Sequence, residues 1–315
     1  MGDKSKIEWT DATWNPWYDC HKVSPGCAYC YMDRWAKRSG RDAEKVTHAA
    51  GATFYAPLNW KEPRVIFTCS LSDVFVEEAD PWRSEAWAVI NQTPYHTYLI
   101  LTKRPERIRE CLPSGFKKPW PWPHVRLGIS AENQLCLDRR AQELFKIPAA
   151  GYFFSFEPLL GPIDAVLWLN PLEHMSLDYW QKELGHKEFF PKELLVKAVI
   201  VGGESGGPPY RSLVERSCDC GHGWSFHKNN KRECRLCGPD AVRERGDQYV
   251  ETVCDRYRQY NSGFVPKPQA LEWVKSIRDQ CKAAGVTFHF KQWGGPRPES
   301  GGRLLDGKEH GGYPI

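Results

Sequence analysis

The sequence predicts an α/β protein built on a parallel sheet, either a barrel or a doubly wound layer. Short apolar runs recur along the chain, and each is followed by a longer polar or helical stretch. Several runs are almost wholly apolar, as expected of parallel strands that helices cover on both faces. Polar residues collect where the runs end, which is typical of the active-site edge of a barrel. We therefore expect a parallel (β/α) barrel, partial, with six to seven strands.

The predicted strands and the last helix follow from these runs. Seven segments are predicted as strands: one near Thr13–Trp17, then Val65–Cys69, Thr97–Leu101, Val125–Ile129, Tyr152–Phe156, Ala198–Val201 and Val286–Phe290. The last helix begins at Pro268, carries an apolar stripe from Ala270 to Cys281 at helical spacing, and stops before Gly285. Helical pieces are also expected around 177–184 and 191–196.

The spacing of the strands predicts the domain organisation. More than eighty residues separate the last two predicted strands, too many for an ordinary connection. We expect a barrel formed by residues 1–207 and 261–295, interrupted by a cysteine-rich insertion at residues 208–260. The tail, residues 296–315, is rich in Gly, Arg, Glu and Asp and is expected to be poorly ordered.

Composition excludes several classes of protein. The chain has 315 residues, 41% of them hydrophobic, and a net charge of +4. No apolar run approaches the ~20 residues of a membrane helix, and no signal-peptide core follows Met1. We expect a cytoplasmic protein without a membrane partner. Its twelve cysteines therefore favour metal sites where they cluster. The isolated ones are expected to be small buried residues: Cys69, Cys111, Cys136, Cys254 and Cys281.

The first cysteine group, Cys20-x6-Cys27-x2-Cys30, comes directly after the first predicted strand. Three thiolates can hold three irons of a cubane cluster and leave the fourth iron open for a ligand. A structural zinc site needs four protein ligands, and His21 is the available fourth. An iron–sulfur cluster, a zinc site and unliganded thiols all remain open from spacing alone.

The second cysteine group predicts a closed zinc site. Its four thiols are Cys218, Cys220, Cys234 and Cys237, with His222 or His227 as substitutes. Basic residues and the aromatic Trp224 and Phe226 are interleaved with them, which favours contact with nucleic acid. A metal staple without a partner and a second iron–sulfur cluster are the alternatives.

A basic stretch at residues 103–118 also indicates a nucleic-acid partner. Its cations are Lys103, Arg104, Arg107, Arg109, Lys117 and Lys118. With fourteen tryptophans in the chain, such a stretch could serve phosphate contacts and base stacking. The alternative is a solvated helix face.

Two resemblances sharpen these expectations. The segment Gly26-Cys-Ala-Tyr-Cys-Tyr31 resembles the cluster loop of radical S-adenosylmethionine enzymes, although six residues rather than three separate its first two cysteines. The whole chain resembles a three-cysteine-motif family of uncharacterised phage and bacterial proteins (DUF5131-like). Five segments carry this likeness: Ile7-Glu-Trp-Thr-Asp-Ala-Thr-Trp-Asn-Pro16, Leu101-Thr-Lys-Arg-Pro105, Glu157-Pro-Leu-Leu-Gly161, Val201-Gly-Gly-Glu-Ser-Gly206 and Phe290-Lys-Gln-Trp-Gly294.

The resemblance implies a [4Fe–4S] cluster on Cys20, Cys27 and Cys30, whose open iron binds S-adenosylmethionine. An external electron donor then drives formation of a 5′-deoxyadenosyl radical that takes a hydrogen from the substrate. Tyr29 would pack near the adenine. The other residues expected to bind the cofactor follow predicted strands: Ser70, Ser72, Asp73, Ser130, Glu132 and Asn133.

Further residues at the strand ends are expected to meet the substrate. Catalytic roles are predicted for Lys103, Glu157, Glu204 and Lys291, and substrate contacts for Arg104, Gln292 and Trp293. Each of these polar residues could instead be a cap, a turn former or half of a structural ion pair. The likeness to phage proteins suggests a modified base in phage DNA, handled in the host cytoplasm by an isomerase or another base-modifying enzyme. A non-catalytic zinc-containing nucleic-acid-binding protein and a radical enzyme acting on a small metabolite are the alternatives. RNA and free nucleotides remain open as substrates, and the sequence does not indicate an oligomeric state.

Overall fold

A parallel seven-stranded sheet forms the centre of the computed structural model, which describes residues 4–176, 196–216, 264–297 and 300–312. Its strands are β1 (Ala12–Trp14), β4 (Val65–Thr68), β5 (Thr97–Thr102), β6 (Val125–Ser130), β7 (Tyr152–Phe156), β8 (Val196–Gly202) and β11 (Thr287–Gln292). The strands stand side by side in chain order, and every pairing is parallel. The sheet is strongly curled into a half-barrel. The expectation of a partial parallel barrel is confirmed.

The remaining elements cover this sheet. Short antiparallel pairs are formed by β2 (Trp17–Tyr18) with β3 (Thr47–His48), and by β9 (Val214–Arg216) with β10 (Phe264–Pro266). The helices are α1 (Tyr31–Arg38), α2 (Gly51–Phe54), α3 (Asp80–Gln92), α4 (Gln134–Leu144), α5 (Val166–Leu169), α6 (Pro171–His174) and α7 (Pro268–Ala283). Short 3-10 helices lie at Pro25–Cys27, Ala56–Asn59, Glu77–Ala79, Pro105–Arg107, Arg109–Cys111 and Pro209–Arg211.

Helix α7 and strand β11 form as the sequence predicts. Residues Ala270, Val274, Ile277 and Cys281 are all buried, so the apolar stripe faces the core. Gly285 has a φ of 66°, a left-handed conformation that glycine adopts without steric cost, and the chain turns there into β11.

The two faces of the sheet bury different sets of side chains. The larger core lies between the strands and the helices and includes Tyr98, Leu127 and Phe154. The opposite face carries a smaller aromatic cluster of Trp9, Phe67, Leu99, Phe153 and Ile200. Strands β4, β5, β7 and β8 each supply one member, because alternate residues of a strand point to one face, and Trp9 joins them from the segment before β1. The inside of the half-barrel is therefore packed with side chains.

Each described tryptophan is buried or half-buried. Trp14, Trp17, Trp122 and Trp293 are among the largest fully buried side chains. Most of the described tryptophans therefore lie in the core or pack against it, and a role of tryptophan in base stacking stays a prediction.

The expectation of a poorly ordered tail is wrong for residues 300–312. Leu305 is fully buried, the Trp293 amide donates to the Gly302 carbonyl, and the Phe290 amide donates to the His310 carbonyl. The tail satisfies backbone groups of the edge strand β11, which has β8 on its other side. The polar composition of the tail did not indicate that Leu305 is buried in the core.

Several sequence predictions fall outside the described residues. These are the helical piece around 177–184, Cys254, the second cysteine group, and the helical piece around 191–196 apart from its last residue. Helix is wrong for that residue, because Val196 begins β8. The chain leaves the described part after β9 and re-enters it at β10, where Arg216 stands opposite Phe264. Within the described residues, no helix is long and apolar enough to cross a membrane.

Candidate functional site

The carboxyl ends of the strands gather the residues that the sequence singled out. Asp73 lies beyond β4, Lys103 and Arg104 beyond β5, Glu132 beyond β6, Glu157 beyond β7 and Glu204 beyond β8, while Lys291 and Gln292 end β11. Because parallel strands finish at one edge, these side chains share that edge of the half-barrel. The cysteine loop, residues 20–30, lies between β2 and α1 and bonds to three of these strand ends.

The three thiols of the cysteine loop lie close together. All three are free and half-buried, and Cys27 is near enough to Cys20 and Cys30 to influence both electrostatically. Within the described ranges, no group of three or more His, Cys, Asp or Glu side chains converges as ligands of one metal ion do. The iron–sulfur cluster and the zinc site at this loop therefore both stay predictions.

His21 is engaged elsewhere. Its Nε2 lies 2.5 Å from Oε1 of Glu78, and both side chains are more than 40% exposed. The described contact of His21 is therefore a surface pair and does not complete a set of four zinc ligands.

Arg104 is the first tie between the cysteine loop and the sheet. Its guanidinium donates to the Cys20 Sγ at 3.3 Å, to the His21 carbonyl at 2.8 Å and to the Asp73 carboxylate at 3.3 Å. Asp73 also accepts hydrogen bonds from the Thr102 hydroxyl at 2.7 Å and from the Lys103 amide at 3.0 Å. Asp73 and Arg104 are buried, so each stabilises the other's charge in a place that water barely reaches.

The environment of Cys20 keeps its thiol protonated. Burial and the Asp73 carboxylate raise its pKa to about 12, although Arg104 acts in the opposite direction. A metal that takes the thiolate must therefore displace a proton. Arg104 would then offer a cation to the new negative charge.

Glu132 is the second tie. Its Oε1 accepts a hydrogen bond from the Gly26 amide at 3.0 Å, and its Oε2 lies 2.8 Å from Nη1 of Arg140 on α4. Burial opposes its charge, but Arg140, with hydrogen bonds from Ser24 and Gly26, lowers the pKa of Glu132 to about 2. A Cβ at Gly26 would stand 3.0 Å from the Glu132 carboxyl carbon, so the close approach favours glycine.

Arg211 is the third tie. It donates to the buried Glu204 carboxylate at 2.7 Å and to the Pro25 carbonyl at 2.8 Å. Its guanidinium also lies over the Tyr29 ring, 5.1 Å from the ring centre. Arg211, which pairs with Glu204, thereby links the turn after β8 to Pro25 and to Tyr29, one on each side of Cys27.

The far strands contribute a half-buried ion pair. Lys291 Nζ donates to Oε1 of Glu157 at 2.6 Å, which joins the ends of β7 and β11. Gly202 lies directly against the Glu157 side chain. This pair offers both a proton donor and a carboxylate at the open edge of the sheet.

A model of a protein family described as a protein of unknown function, DUF5131, matches residues 4–216 and 260–314. The chain belongs to the DUF5131 family. The matched ranges contain the cysteine loop and every strand of the sheet, and they omit residues 217–259. Neither curated proteins nor solved structures yield a match to this chain. The division into barrel, insertion and tail stays a prediction.

Other predicted site residues of the DUF5131 protein have local structural contacts. The Asn133 side chain caps α4 by accepting from the Cys136 amide at 3.0 Å. The Ser130 carbonyl accepts from Arg140 at 2.7 Å. The Ser72 hydroxyl donates to the Asp19 carbonyl at 2.5 Å. These contacts agree with the cap and turn alternatives, while their roles in cofactor binding stay predictions.

Two predicted substrate contacts at the end of β11 are deeply placed. Trp293 is fully buried and its indole donates to the Leu304 carbonyl at 2.8 Å. Gln292 is 7% exposed and lies 3.5 Å from the Ser205 hydroxyl. The described contacts of Trp293 are those of a core residue, and its role at the substrate stays a prediction.

The basic stretch at 103–118 mostly binds within the protein. Arg104 is buried, Arg107 pairs with Asp80 at 2.9 Å, and Arg109 donates to the Lys146 carbonyl at 2.8 Å. Lys117 and Lys118 are exposed and lie shortly before β6, at the opposite edge of the sheet. The stretch therefore does not form one continuous cationic surface at the cysteine loop.

Sequence reasoning missed three residues at this edge. Arg140 and Arg211 hold Glu132 and Glu204, yet Arg140 lies within α4 and Arg211 in a 3-10 helix, away from the strand ends that marked the other candidates. Cys69 was interpreted as a buried residue, and it is buried. Its thiol also lies near Asp73 and Cys20, and burial first and these neighbours next raise its pKa.

Proposed function

We propose that this DUF5131 protein is a radical S-adenosylmethionine enzyme that modifies or isomerises a base of a nucleic acid. One observation carries the proposal. A loop with three free, neighbouring thiols lies at the carboxyl edge of a curled parallel half-barrel, tied down by Arg104, Glu132 and Arg211. Three ligands from one loop leave one iron of a cubane open, which is what a cofactor-binding cluster requires.

Cys20, Cys27 and Cys30 would hold the [4Fe–4S] cluster. When bound with S-adenosylmethionine and one electron from an external donor, this group supplies homolytic cleavage of the carbon–sulfur bond to methionine and a hydrogen-abstracting 5′-deoxyadenosyl radical. The chain's own task is to keep these groups positioned and shielded from water. Three separate ties to the sheet serve that task, because a loop fixed at several points loses little further entropy on binding.

The charged groups beside the loop would stabilise the thiolates. Arg104 donates directly to the Cys20 sulfur, and the Lys103 ammonium acts on Cys30 electrostatically. Hydrogen bonds and positive charge near the thiolates are known means of tuning a cluster's reduction potential. The pair of Lys291 and Glu157 would bind a polar part of the substrate or move a proton between Nζ and Oε1.

Three exposed tyrosines favour a nucleic-acid substrate over a small metabolite. Tyr29 lies in the cysteine loop, Tyr31 directly after it and Tyr210 beside Tyr29, and these side chains are 41%, 47% and 76% exposed. Exposed aromatic rings beside basic residues are typical of surfaces on which bases stack. The isomerase chemistry and the phage-DNA substrate remain parts of this proposal.

An anaerobic experiment tests the proposed function. Protein purified under nitrogen and reconstituted with iron and sulfide should be brown, absorb broadly near 400 nm and contain about four irons per cluster site. With S-adenosylmethionine and dithionite it should release 5′-deoxyadenosine. A colourless protein that holds only zinc would contradict the proposal and favour the non-catalytic alternative. If DNA and RNA do not change the release of 5′-deoxyadenosine but a metabolite increases it, the nucleic-acid substrate would be wrong and the radical chemistry would stand.

A further inference from the structure

The exposed face of α1 carries a row of side chains of which the proposed function uses only Tyr31. Tyr31, Arg34 and Arg38 occupy positions i, i+3 and i+7 of the helix, so they lie in one row, here called the α1 stripe. All three are exposed, while Met32 and Ala36 are buried on the other side of the helix. The stripe begins one residue after Cys30 and extends ~10 Å from it along the helix.

The cations of the α1 stripe are available to a partner. Neither Arg34 nor Arg38 forms an ion pair with a described residue, whereas the neighbouring Asp33 is paired with Lys22 at 2.9 Å. Arg34 and Arg38 are four residues apart on the helix, so their Cβ atoms lie ~6 Å from each other on one face, and each carries a positive charge. Charges at this spacing along one line suit successive phosphates of a single strand.

One aromatic side chain lies in the α1 stripe and another lies beside it. Tyr31 is fixed by a hydrogen bond from its hydroxyl to the Ser70 carbonyl. The guanidinium of Arg34 lies against Gly206, whose φ of 75° lets the turn after β8 pass under it. That turn leads to Tyr210, the most exposed of the large apolar side chains in the described ranges. The hydroxyls of Tyr210 and Tyr29 lie 3.5 Å apart, so the Tyr210 ring lies beside the cysteine loop.

We infer that the α1 stripe and Tyr210 bind a single strand of nucleic acid, with phosphates on Arg34 and Arg38 and a base on Tyr210. The inference deepens the proposed function, since it states how the strand would pass the cysteine loop. The surface has the two features that strand binding without sequence preference needs, a row of cations and an exposed ring. A duplex would not offer its base faces to Tyr210, so the occupant is single-stranded or locally unpaired.

The test measures binding without turnover, so it can fail independently of the radical chemistry. Anaerobically reconstituted protein is titrated with a fluorescent single-stranded oligonucleotide, as DNA and as RNA, at several salt concentrations. For the variant with Arg34→Ala and Arg38→Ala, the slope of log affinity against log salt should flatten by about 1.4, because each lost phosphate contact on a single strand removes about 0.7. The matched control, Lys117→Ala with Lys118→Ala, also removes two exposed cations, and its slope should equal that of the wild type.

A separate variant tests whether a base stacks on Tyr210. Tyr210→Leu should weaken oligonucleotide binding about tenfold, as expected for one lost base stack, and should leave binding of polyphosphate unchanged. If the double arginine variant does not fold, as judged by circular dichroism, Arg34→Gln and Arg38→Gln are measured singly, each with an expected slope change of about 0.7. Absence of wild-type binding, equal slopes for the arginine variant and the wild type, or equal effects of the arginine and lysine pairs would each overturn the inference. If Tyr210→Leu weakens polyphosphate binding as much as oligonucleotide binding, the base contact is wrong.

Discussion

Arg104 donates a hydrogen bond to the Cys20 sulfur at 3.3 Å while the same nitrogen lies 3.3 Å from the Asp73 carboxylate. The buried Arg104 guanidinium thus contacts both Cys20, a predicted cluster ligand in the loop before α1, and Asp73, which follows β4. Without the Arg104 guanidinium, the buried Asp73 carboxylate keeps only neutral hydrogen-bond donors, and the Cys20 thiol loses its hydrogen bond to Arg104. Stability and ligand geometry are therefore coupled at this residue.

Arg104→Ala should lower the free energy of unfolding by about 3 kcal/mol, because breaking a buried ion pair leaves an unpaired charge. Urea denaturation of the iron-free protein measures this change. Arg278→Ala is the control, since that arginine pairs with the partly exposed Asp279 and Asp306 and should cost at most about 1 kcal/mol. Equal losses for the two variants would refute the argument that Arg104 supports a buried charge.

Replacing any of Cys20, Cys27 or Cys30 by Ala should remove the iron and all cleavage of S-adenosylmethionine, because three ligands leave no spare. Iron is measured against protein after anaerobic reconstitution. Cys281→Ala is the control, because this thiol is buried under the apolar stripe of α7 and should leave the iron content unchanged. Full iron in the Cys27→Ala protein would show that the loop is not the cluster site.

Hydrophobic pattern predicts this sheet well because its strands are buried on both faces. The run at residues 152–156 is entirely buried, and that continuous apolar signal marks β7 without ambiguity. The edge strand β1 has only three residues, Ala12–Trp14, whereas a strand was predicted near Thr13–Trp17. A short strand has too few residues for periodicity to define its ends.

The candidate site was predictable only in part. Strand ends mark Asp73 and Glu132, since parallel topology brings such ends together. The partners of those carboxylates come from distant sequence: Arg140 reaches Glu132 from within α4, and Arg211 reaches Pro25 across 186 positions. Such pairs depend on tertiary packing, which no local pattern encodes. The tail shows the same limit, because its sequence does not distinguish the fully buried Leu305 from the half-buried Leu304 beside it.

Leu305→Ala should lower the free energy of unfolding by about 2–5 kcal/mol, because it leaves a cavity where a fully buried side chain packs. Leu304→Ala, one residue earlier and half-buried, is the matched control with a smaller expected loss. Thermal or urea denaturation measures both. If the two variants lose the same small amount, the tail contributes little to the fold.

Glu132→Gln should remove the part of the free energy of unfolding that depends on the Glu132 charge and therefore on pH. The folded-state pKa of Glu132 is lowered from its usual 4.5 to about 2, so its contribution is fully present above about pH 4.5 and is lost as the pH falls towards 2. That shift corresponds to about 3 kcal/mol, given 1.36 kcal/mol for each pKa unit. The free energy of unfolding in urea, measured from pH 6 down to pH 3, should therefore differ most between wild type and variant at pH 6, and the difference should shrink as the pH falls. Glu110→Gln, at an exposed carboxylate paired with Arg107, should show only a small difference at every pH. A gap between wild type and Glu132→Gln that stays constant down to pH 3 would mean that the Gly26 tie does not depend on the Glu132 charge.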